Sequence, residues 1–432
     1  MSIRLHRARR AETMRDRTIF SKDFMLVAIG QVVSIFGNQI LRYALPLHLL
    51  NQTGSSALFG TIMAVSFIPM LVQFPIGGII ADRVNKRNIM VILDFSTAAL
   101  VSLFCLAKGR IDIVPLMVAT MIILYGIQGT YQPAVKASVP ALVDTEHIMR
   151  ANSVVDLINS LASMAGPVIG GLVFSVFGLA PILYLSIGCF FASAVMETFI
   201  RIPFEKRAAA GNIFVTGLGD LKESFGFIFR EQPVLWKASL VYSSTNLLLT
   251  SLIFIGVPVL ITRHLGFAPD AANRLYGYAQ GAIASGAVLG GLLAGMSSRR
   301  LKPKASPFIL AGCALSILLV GLALHTLDGA MPIYIVMVFG CGLLLVLSTL
   351  FQIQLMTYIQ ILTPENLIGK VISCVICVCM CSGPVGQVIY GFVFEGIGRH
   401  AYLPFYAAAL IMAGIAVSTR RVFNGMENLI KT

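Results

Sequence analysis

Gly78-Ile79-Ile80-Ala81-Asp82-Arg83-Val84-Asn85-Lys86-Arg87 is a short charged stretch between two long apolar runs, 57–80 and 89–108. About 20 apolar residues are what a helix needs to cross the hydrocarbon core of a bilayer. The charges of Asp82, Arg83, Lys86 and Arg87 cannot follow those runs into lipid, so the stretch reads as a tight turn at one membrane face. Working outward, the same unit recurs. Twelve spans are predicted, at 24–50, 57–80, 89–108, 113–135, 151–177, 181–201, 237–262, 275–296, 306–326, 331–359, 367–396 and 402–419.

Composition agrees. Of 432 residues, 57% are hydrophobic and 12% charged, whereas soluble domains carry roughly a quarter charged residues. A soluble fold of this length could not cover its surface with so few charges. The net charge of +13 does not point to nucleic acid, because the basic residues sit in short loops rather than in one patch with interleaved aromatics. The first run, from about Phe24, is too long for the apolar part of a cleaved leader and is predicted to stay as a span.

The stretch 202–236 is polar and divides the spans into two sets of six, giving a bundle at 24–201, a linker and a bundle at 237–419. Terminal tails are predicted at 1–23 and 420–432. Within the linker, Leu218, Leu221, Phe225, Ile228 and Phe229 follow helical spacing and predict an amphipathic interfacial helix. Lysines and arginines fix the orientation. With both termini cytoplasmic, the inner side holds most of them, and the outer side keeps only Lys108, Arg110, Arg263, Arg274 and Arg399. This predicts a multi-pass protein of a bacterial cytoplasmic membrane. The halves also repeat: Thr363-Pro364-Glu365 answers Asp144-Thr145-Glu146, and Gly383-Pro384-Val385 answers Gly166-Pro167-Val168, at nearly one offset. Duplicated halves characterise transporters that rock around a central site.

Polar side chains recur at helical spacing in particular spans. The first carries Gln31, Ser34, Asn38 and Arg42, and the fourth Tyr125, Gln128 and Gln132. The fifth carries Asn152, Asp156, Asn159 and Ser163. Ser243, Asn246 and Thr250 lie in the seventh and Gln352 in the tenth, whereas spans 6, 9 and 12 are almost wholly apolar. A polar stripe facing lipid would cost several kcal/mol, so these stripes predict a polar substrate cavity inside a lipid-facing outer ring.

The stretch from Gly78 to Arg87 resembles the cytoplasmic signature of the major facilitator superfamily: a glycine, an Asp, an Arg and a basic pair. Glycine allows close helix approach, a carboxylate can cap a helix N-terminus of the other half, and basic residues can pair with acids there. Gly78, Asp82, Arg83, Lys86 and Arg87 are thereby a predicted cytoplasmic latch. Asn85 stands where the family usually has glycine and is a residue that tolerates a left-handed turn. Gly166-Pro167-Val168-Ile169-Gly170-Gly171 resembles the antiporter motif of the superfamily's exporters, although its upstream glycines are absent. Gly37, Ala44-Leu45-Pro46, Thr53-Gly54-Ser55, Gln132-Pro133-Ala134, Val139-Pro140-Ala141-Leu142-Val143 and Ala151-Asn152-Ser153 look like the drug:proton antiporter branch that contains macrolide efflux proteins and enterobactin exporters. The resemblance implies an all-α membrane fold of twelve helices in two pseudo-symmetric bundles, and proton-driven efflux of a small amphipathic compound, with the protein acting as a monomer. Members of the branch often have Asp at the position of Asn38.

Ionisable residues inside spans are functional candidates. Asp156 and Asp94 are the candidate coupling carboxyls. Asp156 would have to be buried to exchange protons near neutral pH, and Asp94 is expected to pair with basic loop residues. Glu197 is expected to be solvated. Arg42 is open to two readings, attraction of an anionic substrate or pairing with Glu395. Cys374, Cys377, Cys379 and Cys381 read as packing residues, and the six histidines show no ligand spacing, so no metal or cofactor is predicted. No phosphate-binding Gly-x-x-x-x-Gly-Lys-Ser/Thr loop supports a nucleotide-driven pump. A nutrient importer on the same fold is the alternative, and a membrane receptor a remote one. Neither a catalytic constellation nor an added soluble domain supports an enzyme.

Overall fold

The computed structural model describes residues 21–202, 232–297, 302–364, 367–398 and 400–431. Side chains at 75, 78, 79, 82, 83, 145, 368–370, 373, 374 and 428–431 fall outside that description. The predicted amphipathic helix of the linker lies outside the described residues.

Twelve helices among the described residues are long and apolar enough to cross a membrane. They are α1 Lys22–Thr53, α2 Ser56–Arg83, α3 Lys86–Ala107, α4 Ile113–Leu142, α5 Ile148–Phe177 and α6 Leu179–Thr198. The second set is α7 Pro233–His264, α8 Pro269–Ser297, α9 Ser306–Thr326, α10 Ala330–Leu362, α11 Ile368–Gly396 and α12 Leu403–Ser418. The tail predicted at 420–432 contains a further helix, α13 Arg420–Lys431, which buries Phe423 and Met426. In lipid the backbone must satisfy its own hydrogen bonds, and helices do this within one segment.

The turns follow local chemistry. Gly178 alone joins α5 to α6 with φ +73°, a conformation glycine adopts without steric cost. Asn85 caps α3: its side-chain oxygen accepts from the Arg87 amide at 3.0 Å. Its φ of −59° makes it an N-cap rather than the left-handed turn residue expected.

Contacts divide the chain into two compact units. The first takes in the described parts of Met1–Arg42, Pro69–Gly166 and Leu179–Ala208; the second takes in Tyr43–Ile68, Pro167–Gly178 and the described parts of Ala209–Thr432. The helices α1, α2 and α5 are thus each shared between units. In the first unit, Phe24, Val27, Met90, Tyr131, Val135, Val139 and Val155 form one buried cluster. Gly77 packs so closely on α4 that a Cβ would come within 2.6 Å of the Thr130 Cα. In the second unit, Tyr242, Phe351 and Phe423 join α7, α10 and α13 through ring contacts. Large apolar side chains stand exposed on α3, α6, α9 and α12, with Leu106 at 67% and Leu410 at 78%. Such a surface is at home in hydrocarbon.

Helix α7 is irregular. Wider π turns occupy Asn246–Thr250 and Leu260–His264. They displace backbone carbonyls from regular pairing, and α11 meets one of them: the Tyr390 hydroxyl donates to the Leu248 carbonyl at 2.7 Å. Ser251 Oγ lies 3.0 Å from both the Asn246 and Gly383 carbonyls. Single π turns of this kind recur at functional sites.

Candidate functional site

The polar stripe of α1 has two parts with different neighbours. Toward its later end, the Asn38 amide donates to Gln128 Oε1 at 2.7 Å, and the Arg42 guanidinium lies 4.3 Å from the centroid of the Tyr125 ring. A cation over an aromatic face is held by the ring quadrupole. Neither of the two readings left open for Arg42 foresaw this stacking. Asn38, Arg42, Gln128 and Gln132 stay half-buried and can meet a ligand. Gln31 and Ser34 cannot, because they are buried at 0% and 3% exposure and face the interior of the first unit. Together with Tyr125, buried beneath Arg42, these are corrections to the predicted cavity lining.

The interior they face is acidic. Gln31 Nε2 donates to the Tyr131 hydroxyl at 2.6 Å, and that hydroxyl donates to Glu197 Oε1 at 2.8 Å. Ser34 donates to Asp94 Oδ1 at 3.0 Å. Asp94 therefore bonds within the unit rather than to basic loop residues, and Glu197, expected in solvent, is fully buried. Arg87 does not reach either carboxyl. Its guanidinium donates to the carbonyls of Glu197 and Thr198 at the C-terminal end of α6, where a cation complements the helix dipole. Of the predicted latch, the side chains of Gly78, Asp82 and Arg83 lie outside the described residues, and Lys86 is half-buried.

Asp156 is placed differently from the expectation. Its carboxylate is 3.6 Å from Lys136 Nζ, and both side chains are more than half exposed. The burial expected of Asp156 is missing there.

Within the second unit, the segments from α1, α2 and α5 are locked to the later helices. Tyr43 donates to the Asn273 carbonyl at 2.5 Å and stacks on Tyr276 with ring centroids 5.0 Å apart. Asn51 donates to Asn273 Oδ1 at 3.0 Å. Gly171 of the antiporter-like stretch meets Gly277 of α8 so closely that a Cβ on Gly171 would lie 2.9 Å from the Gly277 Cα. Gly170 is buried beside it and Pro167 half-buried. Gly166, in the first unit, abuts Gln39. A second glycine crossing pairs Gly60 of α2 with Gly391 of α11, where a Cβ on Gly391 would lie 3.1 Å from the Gly60 Cα. One turn further along α11, Glu395 Oε2 accepts from the Ser56 amide at 2.7 Å, the Ser56 hydroxyl at 2.9 Å and the Ala57 amide at 3.3 Å. This carboxylate caps the N-terminus of α2, where unpaired amides and the helix dipole favour negative charge. Sequence reasoning missed that role, since nothing local marks Glu395 as a cap for a helix 339 residues away.

A cavity of about 560 Å³ lies in the same unit, lined among others by Tyr242, Asn246, Gln352, Gln360, Cys379 and Gln387. Two predicted cavity residues, Asn246 and Gln352, reach it. Ser243 is held 3.6 Å from Cys379 Sγ, and Thr250 is not among the lining residues. Gln387 Oε1 is buried without a hydrogen-bond partner among the described residues, an acceptor that the sequence stripes did not mark.

Comparison with known proteins gives a consistent picture. Residues 27–387 match the family model described as Major Facilitator Superfamily. Macrolide efflux protein A of Streptococcus pyogenes is 25% identical over 398 residues, covering 88% of this chain and 91% of that protein. The enterobactin exporter EntS of Salmonella typhi is 25% identical over 353 residues, covering 80% of each. Among solved structures, the nucleoside transporter NupG superposes with a TM-score of 0.70 at 13% identity, covering 93% of this chain and 99% of that one. That likeness shows the fold.

Proposed function

The chain belongs to the major facilitator superfamily, a family of transporters rather than enzymes, and on that premise we propose that it is a proton-coupled exporter of a small amphipathic organic compound, working by alternating access. The relatives named for macrolide efflux and enterobactin export support the direction and the substrate class. Both termini then face the cytoplasm of a bacterial cell, as the basic loops predict.

One observation carries the mechanism: segments of α1, α2 and α5 are held to the later helices by small, reversible contacts. Two glycine crossings and one carboxylate cap hold the end of the molecule that becomes the outer face in this orientation. Glycine crossings let backbones touch without interlocking side chains, and a capping hydrogen bond is worth about 1 kcal/mol. Such a closure can open in a transport cycle. The stretch from Gly78 through Asp82, Arg83 and Lys86 would act as the corresponding latch at the cytoplasmic face. Substrate would be met by Asn38, Arg42, Gln128 and Gln132 on α1 and α4. It would also be met by Asn246 and Gln352 of the α7–α11 cavity.

The test is transport of a panel of macrolides and catecholate siderophores by whole cells and by everted membrane vesicles, with and without an uncoupler. Export predicts lowered accumulation in cells and energised uptake into everted vesicles, both abolished by the uncoupler. Energised uptake into whole cells would instead establish the importer.

A further inference from the structure

Five side chains from four helices of the first unit meet out of solvent: Gln31 and Ser34 of α1, Asp94 of α3, Tyr131 of α4 and Glu197 of α6. All are at most 3% exposed. Their donors are all engaged. Ser34 gives its proton to Asp94, Tyr131 to Glu197, and the Gln31 amide to Tyr131. The neighbouring Ser193 hydroxyl lies 3.1 Å from the Gly30 carbonyl and within hydrogen-bonding reach of Asp94. Three acceptor oxygens remain buried with no partner among the described residues: Gln31 Oε1, Asp94 Oδ2 and Glu197 Oε2.

An unmet buried acceptor costs about 1–3 kcal/mol, and more where it is charged. Here the two acids lie within electrostatic reach of each other and of Tyr131. The cation beside them, Arg87, is engaged by backbone carbonyls, and neither acid forms an ion pair among the described residues. The cluster thus has more acceptors than donors, and two carboxyls with no cation bonded to them among the described residues. The three unmet acceptors are all oxygens, a donor type that suits a hard cation rather than a soft metal.

We propose that Gln31, Ser34, Asp94, Tyr131 and Glu197 form a buried binding site for one hard monovalent cation, a proton or Na⁺. As the site of the coupling ion, it rests on the reading that transport is driven by an ion gradient. It moves coupling from the exposed Asp156 to the interior of the first unit. Gln31 and Ser34, one turn apart on α1, carry the state of the acids to the helix that also bears Asn38 and Arg42. Binding of the ion therefore acts on a substrate-facing helix without touching substrate.

The experiment is difference infrared spectroscopy on the detergent-purified full-length protein. The buffer alternates between choline chloride and NaCl at fixed pH, then between two pH values in choline chloride. Na⁺ binding shifts carboxylate stretches in the first alternation; proton binding makes a protonated-carboxyl band appear and vanish in the second. We expect a carboxyl signal in one of the two, lost in Asp94→Asn and in Glu197→Gln and kept in Asp156→Asn. Ser34→Ala, which retains both acids, shifts that signal without removing it. A signal of equal size in wild type and in the double variant Asp94→Asn/Glu197→Gln overturns the site, as does no carboxyl signal in either alternation. Efflux that is indifferent to ion gradients while the infrared signal persists would overturn coupling and leave the site standing.

Discussion

At Tyr131 a single hydroxyl joins α1, α4 and α6, accepting from Gln31 and donating to Glu197. Tyr131→Phe removes both bonds inside a fully buried network. Leaving buried partners unmet costs about 1–3 kcal/mol, so the variant is expected to unfold at lower temperature in detergent; an unchanged melting temperature would contradict the network. Glu395 is the second decisive residue. Glu395→Ala removes the α2 cap, worth about 1 kcal/mol, and a shift of that size moves a two-state equilibrium by about fivefold. Labelling of a cysteine placed at Ser55 by an impermeant maleimide should accelerate by roughly that factor. Unchanged labelling would mean that the cap does not hold the closure. The residues Gln31, Ser34, Asn38 and Arg42 show what spacing could and could not reveal. Helical periodicity put them on one stripe, and they are on one helix. Whether each faces a neighbouring helix or open space depends on what packs there, and α3, α4 and α6 come from distant parts of the chain.

At the level of elements, the glycine crossings make the sharpest prediction. Gly171→Val and Gly277→Val each place a branched side chain where even a Cβ would lie within about 3 Å of opposing backbone. Overpacking of this kind costs typically 1–3 kcal/mol, and transport should be lost while membrane insertion persists. Gly188→Ala, with nothing within 4 Å of the added Cβ, should transport normally; equal loss in all three would remove the crossing from the account. The positions of the twelve spans were legible because runs of apolar residues and the charged turns between them are local signals. The π turns of α7 were not, since Asn246–Thr250 has an ordinary composition and the Leu248 carbonyl finds its partner on the distant α11. Helix α13 was half-legible, for Phe423 and Met426 are spaced for one helical face within a strongly charged stretch.

On the scale of the whole molecule, the sequence divides the spans into two sets of six, whereas contacts assign residues 43–68 and 167–178 to the same unit as the later helices. That assignment arises from pairings such as Tyr43 with Asn273 and Ser56 with Glu395, which no local pattern announces. Spacing likewise did not reveal exposure: Asp156 lies on a polar stripe but pairs with Lys136, both side chains more than half exposed. Exposed ion pairs of this kind contribute about 0–1 kcal/mol, so Asp156→Asn should keep gradient-driven efflux near wild-type rates; abolished coupling would restore Asp156 as the ion site. The central claim is that export is driven by an ion gradient through this one chain. It is tested most directly by purified protein reconstituted into liposomes, with a substrate identified in the efflux panel and a pH gradient imposed in either direction. The account predicts substrate movement against its concentration gradient and opposite to the proton flow, reversing when the gradient is reversed. Movement in the same direction as the protons would contradict it.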